Sequence, residues 1–346
     1  MRKEHLLKNI LVTGGFGFLG TTLTEYLLAD PGMKVHVVDD LSTSPVDLDF
    51  FLKEIGRPAN LTFDICTIQE YFSKKKVGSF HEVYHLASPV GPAGVLLHAG
   101  NMVRNIVTDC YLLIDYCIAT RAKLLDVSTS EVYGGGQDGY CPESTPKIIQ
   151  AEVTVRLEYA VGKLAAEMAI ANTCKVKELN ATIVRPFNIS GPRQSPKGGF
   201  VLPRFIRQAD KGIPITVFDD GSAVRAFTHV RDMAKGLVLA MAKGGRGEAY
   251  NIGNPDNRTT ILQLAEKVIK TLGSNSRIAF VDPKKIYGPL YEGANDKYPD
   301  SAKAIAELGW IPELGIERVI EDAFEDFKRQ KAAGILKEDI AQERIV

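Results

Sequence analysis

The segment Asn9-Ile-Leu-Val-Thr-Gly14-Gly-Phe-Gly17-Phe18-Leu19-Gly20 confines what this chain can fold into more tightly than any other part of it. A short apolar run of strand type leads into glycines at 14, 17 and 20. An amphipathic stretch from about Leu19 to Ala29 follows, and Val35-His-Val-Val-Asp39 is a second apolar run closed by a carboxylate. Strand, glycine turn, helix, strand and acid, in that order, make a dinucleotide-binding unit. The glycines let the backbone turn tightly and let a pyrophosphate approach the helix N-terminus, where free N–H groups and the helix dipole favour anions. Asp39 lies roughly twenty residues on, where a carboxylate accepts hydrogen bonds from an adenosine ribose. Asp40, Leu41, Ser42 and Thr43 come next, with no arginine nearby. A 2′-phosphate would meet two negative charges and no guanidinium, so the expected cofactor is NAD rather than NADP.

Further strand-like runs recur at 82–86, 123–128 and 179–184, besides 9–13 and 34–39, with helical patterns near 18–30, 67–76, 101–119 and 156–173. This alternation predicts an α/β fold, a doubly wound parallel sheet covered on both faces. After Arg185 the pattern changes. Pro186, Gly191-Pro192, Pro196, Gly198 and Gly199 mark a loop expected to carry function. Beyond it the spacing predicts a helix over 200–211, a strand at 214–218, a helix at 230–243, a strand at 248–252, and helices at 260–272 and 315–330. Residues 281–299, rich in Pro, Gly, Lys and Tyr, read as a mobile loop. With 346 residues the chain exceeds what one core usually holds. The expected division is a dinucleotide-binding domain over 1–185, a smaller substrate lobe over 186–330 with part of 230–260 packing on the first domain, and a polar tail over 331–346.

Charge excludes some partners. Lys plus Arg and Asp plus Glu both number 42, so no global field draws the chain to nucleic acid or to an anionic membrane. No apolar stretch approaches a membrane span. The polar start Met1-Arg-Lys-Glu-His5 is unlike a signal peptide. Five cysteines, at 66, 110, 117, 141 and 174, show no metal spacing, and three lie in apolar contexts; a cytoplasmic protein with reduced core thiols is the expectation. The histidines likewise lack metal-ligand spacing, so no metal site is expected.

Chemistry concentrates at Arg156-Leu-Glu-Tyr159-Ala-Val-Gly-Lys163. On a helix, Tyr159 and Lys163 share a face one turn apart. A lysine ammonium beside a phenol favours the phenolate, which would let the tyrosine act as a base nearer neutral pH.

With Gly14-x-x-Gly17-x-x-Gly20, Asp39, His85-Leu86-Ala87-Ser88 and Tyr159-x-x-x-Lys163 in this order, the chain resembles the extended short-chain dehydrogenase/reductases from about residue 8 to residue 328. Within them it is similar to the NAD-dependent nucleotide-sugar epimerases, dehydratases and decarboxylases. That resemblance implies NAD in the N-terminal lobe, touched by Phe18, Leu19, Asp64, Ile65, Leu86, Ala87 and Ser88, with Pro186 and Phe187 beside the nicotinamide. It implies a nucleoside diphosphate sugar in the second lobe, near Pro89, Asn188, Arg193, Arg204 and Arg225. Thr129 would share a hydrogen bond with the sugar O4 and Tyr159. The segment Ser128-Thr129-Ser130-Glu131-Val132-Tyr133 discriminates among the reactions. The 4,6-dehydratases carry Asp where this chain has Ser130, and typical 4-epimerases lack Glu131. Thr-Ser-Glu, with Arg156 before the tyrosine, is similar to the UDP-glucuronate decarboxylases. A UDP-hexuronic acid is the implied substrate, decarboxylation the implied reaction and 4-epimerisation the alternative. Glu131 as a turn cap and Arg156 as a plain surface charge stay open on the residues alone.

The family also implies a homodimer through a four-helix contact of the helices near 101–119 and 156–173. Cys110, Ile114 and Cys117 are either that surface or core. Lys147–Val155, Gly134-Gly135-Gly136, and Lys297-Tyr298 before Pro299-Asp300 depart from the family pattern, which leaves the exact sugar open.

Overall fold

The computed structural model describes residues 7–73, 77–134, 139–195, 199–291, 293 and 296–336. Gly135, Gly136, Pro196, Gly198, the first residues and most of the expected tail lie outside them.

Alternation of short apolar runs and amphipathic stretches builds the first half of the chain. In order come β1 (Lys8–Thr13), α1 (Phe18–Leu28), β2 (Met33–Asp39), α2 (Leu48–Glu54), β3 (Leu61–Ile65), α3 (Ile68–Ser73), β4 (Glu82–His85), α4 (Gly91–Leu97), α5 (Met102–Thr120), β5 (Lys123–Val127), the short β6 (Tyr140–Cys141), α6 (Val155–Val176) and β7 (Asn180–Pro186). The second half holds β8 (Ile189–Ser190), α7 (Val201–Asp210), β9 (Ile215–Phe218), β10 (Val224–Ala226), β11 (Thr228–His229), α8 (Val230–Lys243), β12 (Ala249–Ile252), β13 (Arg258–Thr260), α9 (Ile261–Leu272), β14 (Ile278–Val281), α10 (Lys284–Tyr287), β15 (Tyr298–Pro299) and α11 (Ile316–Ala332).

Seven strands form one sheet in the order β12-β7-β5-β4-β1-β2-β3, every pair parallel. Chain direction across the sheet reverses between β1 and β4, and the carboxyl ends of the strands on either side of that switch point frame a crevice. Alternate residues of each strand face opposite layers. Val12, Leu125 and Val184 pack with Leu23, Leu27, Met233 and Trp310 under α1 and α8. Leu11, Val83 and Leu124 pack with Ile106, Leu113, Ala166 and Ile170 under α5 and α6. Cys110, Ile114 and Cys117 belong to this second layer and are almost fully buried, so that face is core. A separate core of Leu202, Phe205, Val217, Leu264, Val268 and Val319 knits α7, α9, β9 and α11 into the smaller lobe. β12 returns from that part of the chain to pair with β7 in the large sheet.

Local signals account for the helix ends. The Thr154 side chain accepts a hydrogen bond from the Leu157 amide and starts α6. Thr260 and Gln263 form a reciprocal capping box at α9. The sequence pattern does not reveal β3, α2, α4 or β14. β3 is the sheet edge and leaves Phe63 and Ile65 exposed, so it has no buried periodicity. β14 acquires its partner β9 only through the fold.

Candidate active site

At the mouth of the crevice, Gly14 has φ +71°, and a Cβ there would lie 2.7 Å from the Ala87 amide nitrogen. A Cβ on Gly20 would overlap the Gly14 carbonyl oxygen. Side chains are therefore excluded where β1, the segment after β4 and the start of α1 meet. No side chain caps α1 at Gly17, so its first amides, which have no partner within the helix, are left for an anion. A cleft of about 830 Å³ opens from this turn along the carboxyl ends of the strands. Gly14, Gly17, Phe18, Leu19 and Gly20 line one end, and Leu86, Ala87, Ser88 and Pro89 form its floor after β4.

Asp39, closing β2, also lines the cleft. Its Oδ2 accepts from the Phe16 amide at 2.9 Å and its Oδ1 from the Leu41 amide at 2.8 Å. Burial raises its carboxyl above the ordinary aspartate value while those amides oppose the rise. Each oxygen keeps a second lone pair for hydroxyl donors. Asp64 and Ile65 stand elsewhere. Asp64 pairs with His36 Nε2 at 3.1 Å, Ile65 is exposed, and the cleft wall here begins one residue later, at Cys66, Thr67 and Ile68. Neither Asp64 nor Ile65 lines the cleft in this structure, although the next residues of the same segment do.

Over the middle of the cleft, β5 runs into Ser128-Thr129 and a short turn, Ser130–Tyr133. Thr129 Oγ1 accepts from the Glu131 amide at 3.2 Å, so Thr129 caps this turn and Glu131 does not. Glu131 Oε2 instead takes Arg156 Nη1 at 2.9 Å and Lys297 Nζ at 2.8 Å. Burial works to raise the Glu131 carboxyl, but Lys297 and Arg156 outweigh it and bring it down to about 2. Arg156 is therefore no plain surface charge. Lys297 is itself buried, which lowers its ammonium against the pull of Glu131. Sequence reading passed over Lys297 as a mere departure before Pro299; its position beside an Arg-paired glutamate emerges only when β15 docks on β6.

Thr129, Ser130, Glu131, Arg156, Tyr159 and Lys163 all line the same stretch of cleft. Tyr159 is 7 % exposed, and its phenol is pushed above the ordinary tyrosine range. Burial is the main cause; the Thr129 hydroxyl opposes it, and the Glu131 and Asp126 carboxylates add to it. Lys163 is buried with its ammonium donating to the Val127 carbonyl at 2.9 Å, and it faces Asp126 and Asp109 as well as the cleft.

On the second-lobe side, Pro186, Asn188, Arg204 and Arg225 reach the cleft. Asn188 has φ +35° and donates to the Ala226 carbonyl at 3.3 Å. The Arg204 guanidinium lies 3.9 Å from the Phe218 ring centroid, and Arg225 Nη1 pairs with Asp296 at 3.0 Å. Phe187 is fully buried against Tyr133 rather than facing the cleft. Arg193 is the other clear displacement. It is buried in an ion cluster with Glu25 of α1 at 2.8 Å and Glu54 of α2 at 3.3 Å, its amide bonds Asp326 of α11, and its guanidinium lies over Phe51. Arg193 fastens three helices behind the cleft and does not line it.

The model of the NAD dependent epimerase/dehydratase family matches residues 10–253. The chain belongs to that family. A UDP-N-acetyl-alpha-D-glucosaminuronate decarboxylase of Bacillus cytotoxicus is 29 % identical over 330 residues, covering 93 % of this chain and 98 % of the relative. A UDP-glucuronic acid decarboxylase of Arabidopsis thaliana is 31 % identical over 327 residues, covering 92 % and 88 %. Among solved structures, the UDP-glucuronic acid 4-epimerase of Bacillus cereus in complex with UDP-glucuronic acid and NAD has a TM-score of 0.79 at 25 % identity, covering 93 % of this chain and 99 % of that one. The family's dinucleotide suits the residues present: the side-chain-free cradle at Gly14 and Gly20, the uncapped start of α1 and the Asp39 carboxylate supply an anion seat followed by a hydroxyl acceptor. Among the described residues no helix is long and apolar enough to cross a membrane.

Proposed function

We propose that this protein decarboxylates a UDP-linked hexuronic acid through a 4-keto intermediate. The observation that carries the reading is the trio of Glu131, Arg156 and Lys297 beside Thr129 and Tyr159. Two cations share one carboxylate and leave one positive charge over, which suits a carboxylate on the sugar. Gly14, Gly17, Gly20 and Asp39 would hold NAD, preferred to NADP because Asp39 and Asp40 are followed by Leu41, Ser42 and Thr43 with no arginine or lysine among them. When bound, NAD supplies the reversible hydride acceptance that converts a sugar carbinol to a ketone.

The chain's own residues do the rest. Tyr159, ionised with the help of the Lys163 ammonium, takes the proton from O4 on its Oη, and Thr129 Oγ1 orients that hydroxyl. A ketone at C4 lies β to the C6 carboxylate, so the C5–C6 electron pair can pass to the ketone oxygen as carbon dioxide leaves. Thr129 and Tyr159 then stand as donors to the enolate oxygen. Arg156, which lines the cleft, orients the carboxylate; Lys297 holds Glu131 from behind, and the fixed charge of Glu131 opposes the carboxylate's staying. C5 next takes a proton from solvent, and Tyr159 returns its own proton to O4 as the ketone is reduced. Arg204, Arg225 and Asn188 would hold the diphosphate side of the substrate. Two decarboxylase relatives at about 30 % identity support this reading.

A 4-epimerase is the second reading, supported by likeness to an epimerase that holds UDP-glucuronic acid. Incubation with UDP-glucuronate and with its 2-acetamido analogue, read by product mass, decides. Loss of one carbon dioxide is expected; unchanged mass with altered sugar stereochemistry refutes decarboxylation.

A further inference from the structure

Beneath the Tyr159–Lys163 pair the sheet carries a polar row that the proposed chemistry does not use. Thr13, His85 and Asp126 are register partners on β1, β4 and β5, and all three point into the layer otherwise filled by Leu11, Val83 and Leu124. They are 0 %, 3 % and 1 % exposed. Thr13 Oγ1 and His85 Nδ1 are 2.8 Å apart, and His85 Nε2 lies 3.9 Å from Asp126 Oδ1. Asp126 Oδ2 has no hydrogen-bond partner among the described residues. A carboxylate so placed needs a counter-charge.

Among the described residues the charged and titratable groups around it are few. His85 faces it from β4, and burial, with Lys163 nearby, drives that imidazole down to about 3, so it is neutral at pH 7. From α5 comes Cys110, raised by burial, while Asp109 of the same helix faces Lys163 and Cys110. From α6 come Glu167, Lys163 and Tyr159. Glu167 is already taken by Arg185 of β7 at 2.6 Å and by the Ser128 hydroxyl at 2.5 Å. Lys163 is thus the cation left for Asp126, and the same ammonium is the one expected to draw the proton from Tyr159.

We propose that Asp126 is a positioning residue: it competes with Tyr159 for the charge of Lys163 and so sets how readily the phenol gives up its proton. The proposal rests on Tyr159 being the base. Burial holds the Asp126 carboxyl up to about 6, so at neutral pH it is mostly ionised and opposes the phenolate; below that it protonates and releases Lys163.

Asp126→Asn and Asp126→Leu both remove the charge. The limb of kcat against pH that reports Tyr159, measured on the NAD-loaded protein with the UDP-hexuronate it turns over, should move down by about one pH unit or more in either variant. Asp126→Glu, which keeps the charge, should leave it in place. A second readout needs neither cofactor nor turnover. The Asp126 carboxyl carbon, followed by NMR in the cofactor-free protein, should titrate at least about one pH unit higher in Lys163→Met than in the unaltered sequence. A limb that stays put in a folded Asp126 variant, or a carboxyl indifferent to Lys163, overturns the proposal, and the NMR arm decides should neither charge-free variant fold. If Tyr159→Phe retains turnover, the base itself is misassigned; if Tyr159→Phe abolishes turnover and the Asp126 tests fail, Asp126 alone is.

Discussion

Replacing Glu131 by glutamine removes the carboxylate that Arg156 and Lys297 share, and the cost can be worked from the structure. The two cations hold that carboxyl at about 2 instead of the ordinary 4.5. At about 1.4 kcal/mol per pH unit the gap corresponds to about 3 kcal/mol, and the 22 % exposure of the side chain trims it toward about 2. Since the folded value lies below the unfolded one, this stabilisation is fully present above about 4.5 and is lost as the pH falls through about 2. Glu131→Gln also strands the Lys297 ammonium, which is 4 % exposed, without its partner. Urea melts at pH 7 should therefore show a loss of about 2–3 kcal/mol, shrinking as the pH is lowered below 4.5. Adding Lys297→Met should recover part of the loss, because an apolar side chain replaces the orphaned charge. A pH-independent loss, or a double variant as costly as the sum of its singles, would refute this account of the trio.

Two further outcomes follow from the geometry. Gly20→Ala places a methyl group against the Gly14 carbonyl, and calorimetry should find NAD binding at least about tenfold weaker with thermal stability lowered as well; unchanged affinity would show that the cradle is not the dinucleotide seat. Arg193→Ala breaks the cluster with Glu25 and Glu54 and should cost about 2–3 kcal/mol in denaturant melts while KM for the sugar nucleotide holds, whereas a raised KM at unchanged stability would return Arg193 to the substrate.

The parts of the site that depend on near neighbours in sequence were legible. The glycine turn, Asp39, the Thr129-Ser130-Glu131 turn and the one-turn spacing of Tyr159 and Lys163 need only a strand end or a helix to place them. Contacts between remote segments were not. Arg193 sits in a stretch that looks like a substrate loop, and nothing in its neighbourhood announces Glu25 or Glu54 as partners. Lys297 meets Glu131 only because β15 docks on β6. Asp64 and Ile65 close an edge strand that is placed by pairing with β2 and not by its own pattern. Asp126 did leave a signal: an acid inside Lys123-Leu-Leu-Asp-Val, a strand buried on both faces, is costly enough to ask for a reason.

The late return of β12 to the large sheet shapes how the protein must be made. Once Pro186 has been made, β7 has its β5 partner in the chain, but its other side has no neighbour until residue 252 has been synthesised. For all that interval the nascent sheet offers a bare row of amides and carbonyls to any passing strand, the ordinary route to misassembly. A fragment cut after residue 186 would keep that open flank permanently, so the cofactor half should resist purification as a soluble piece even though it holds nearly the whole nucleotide cradle.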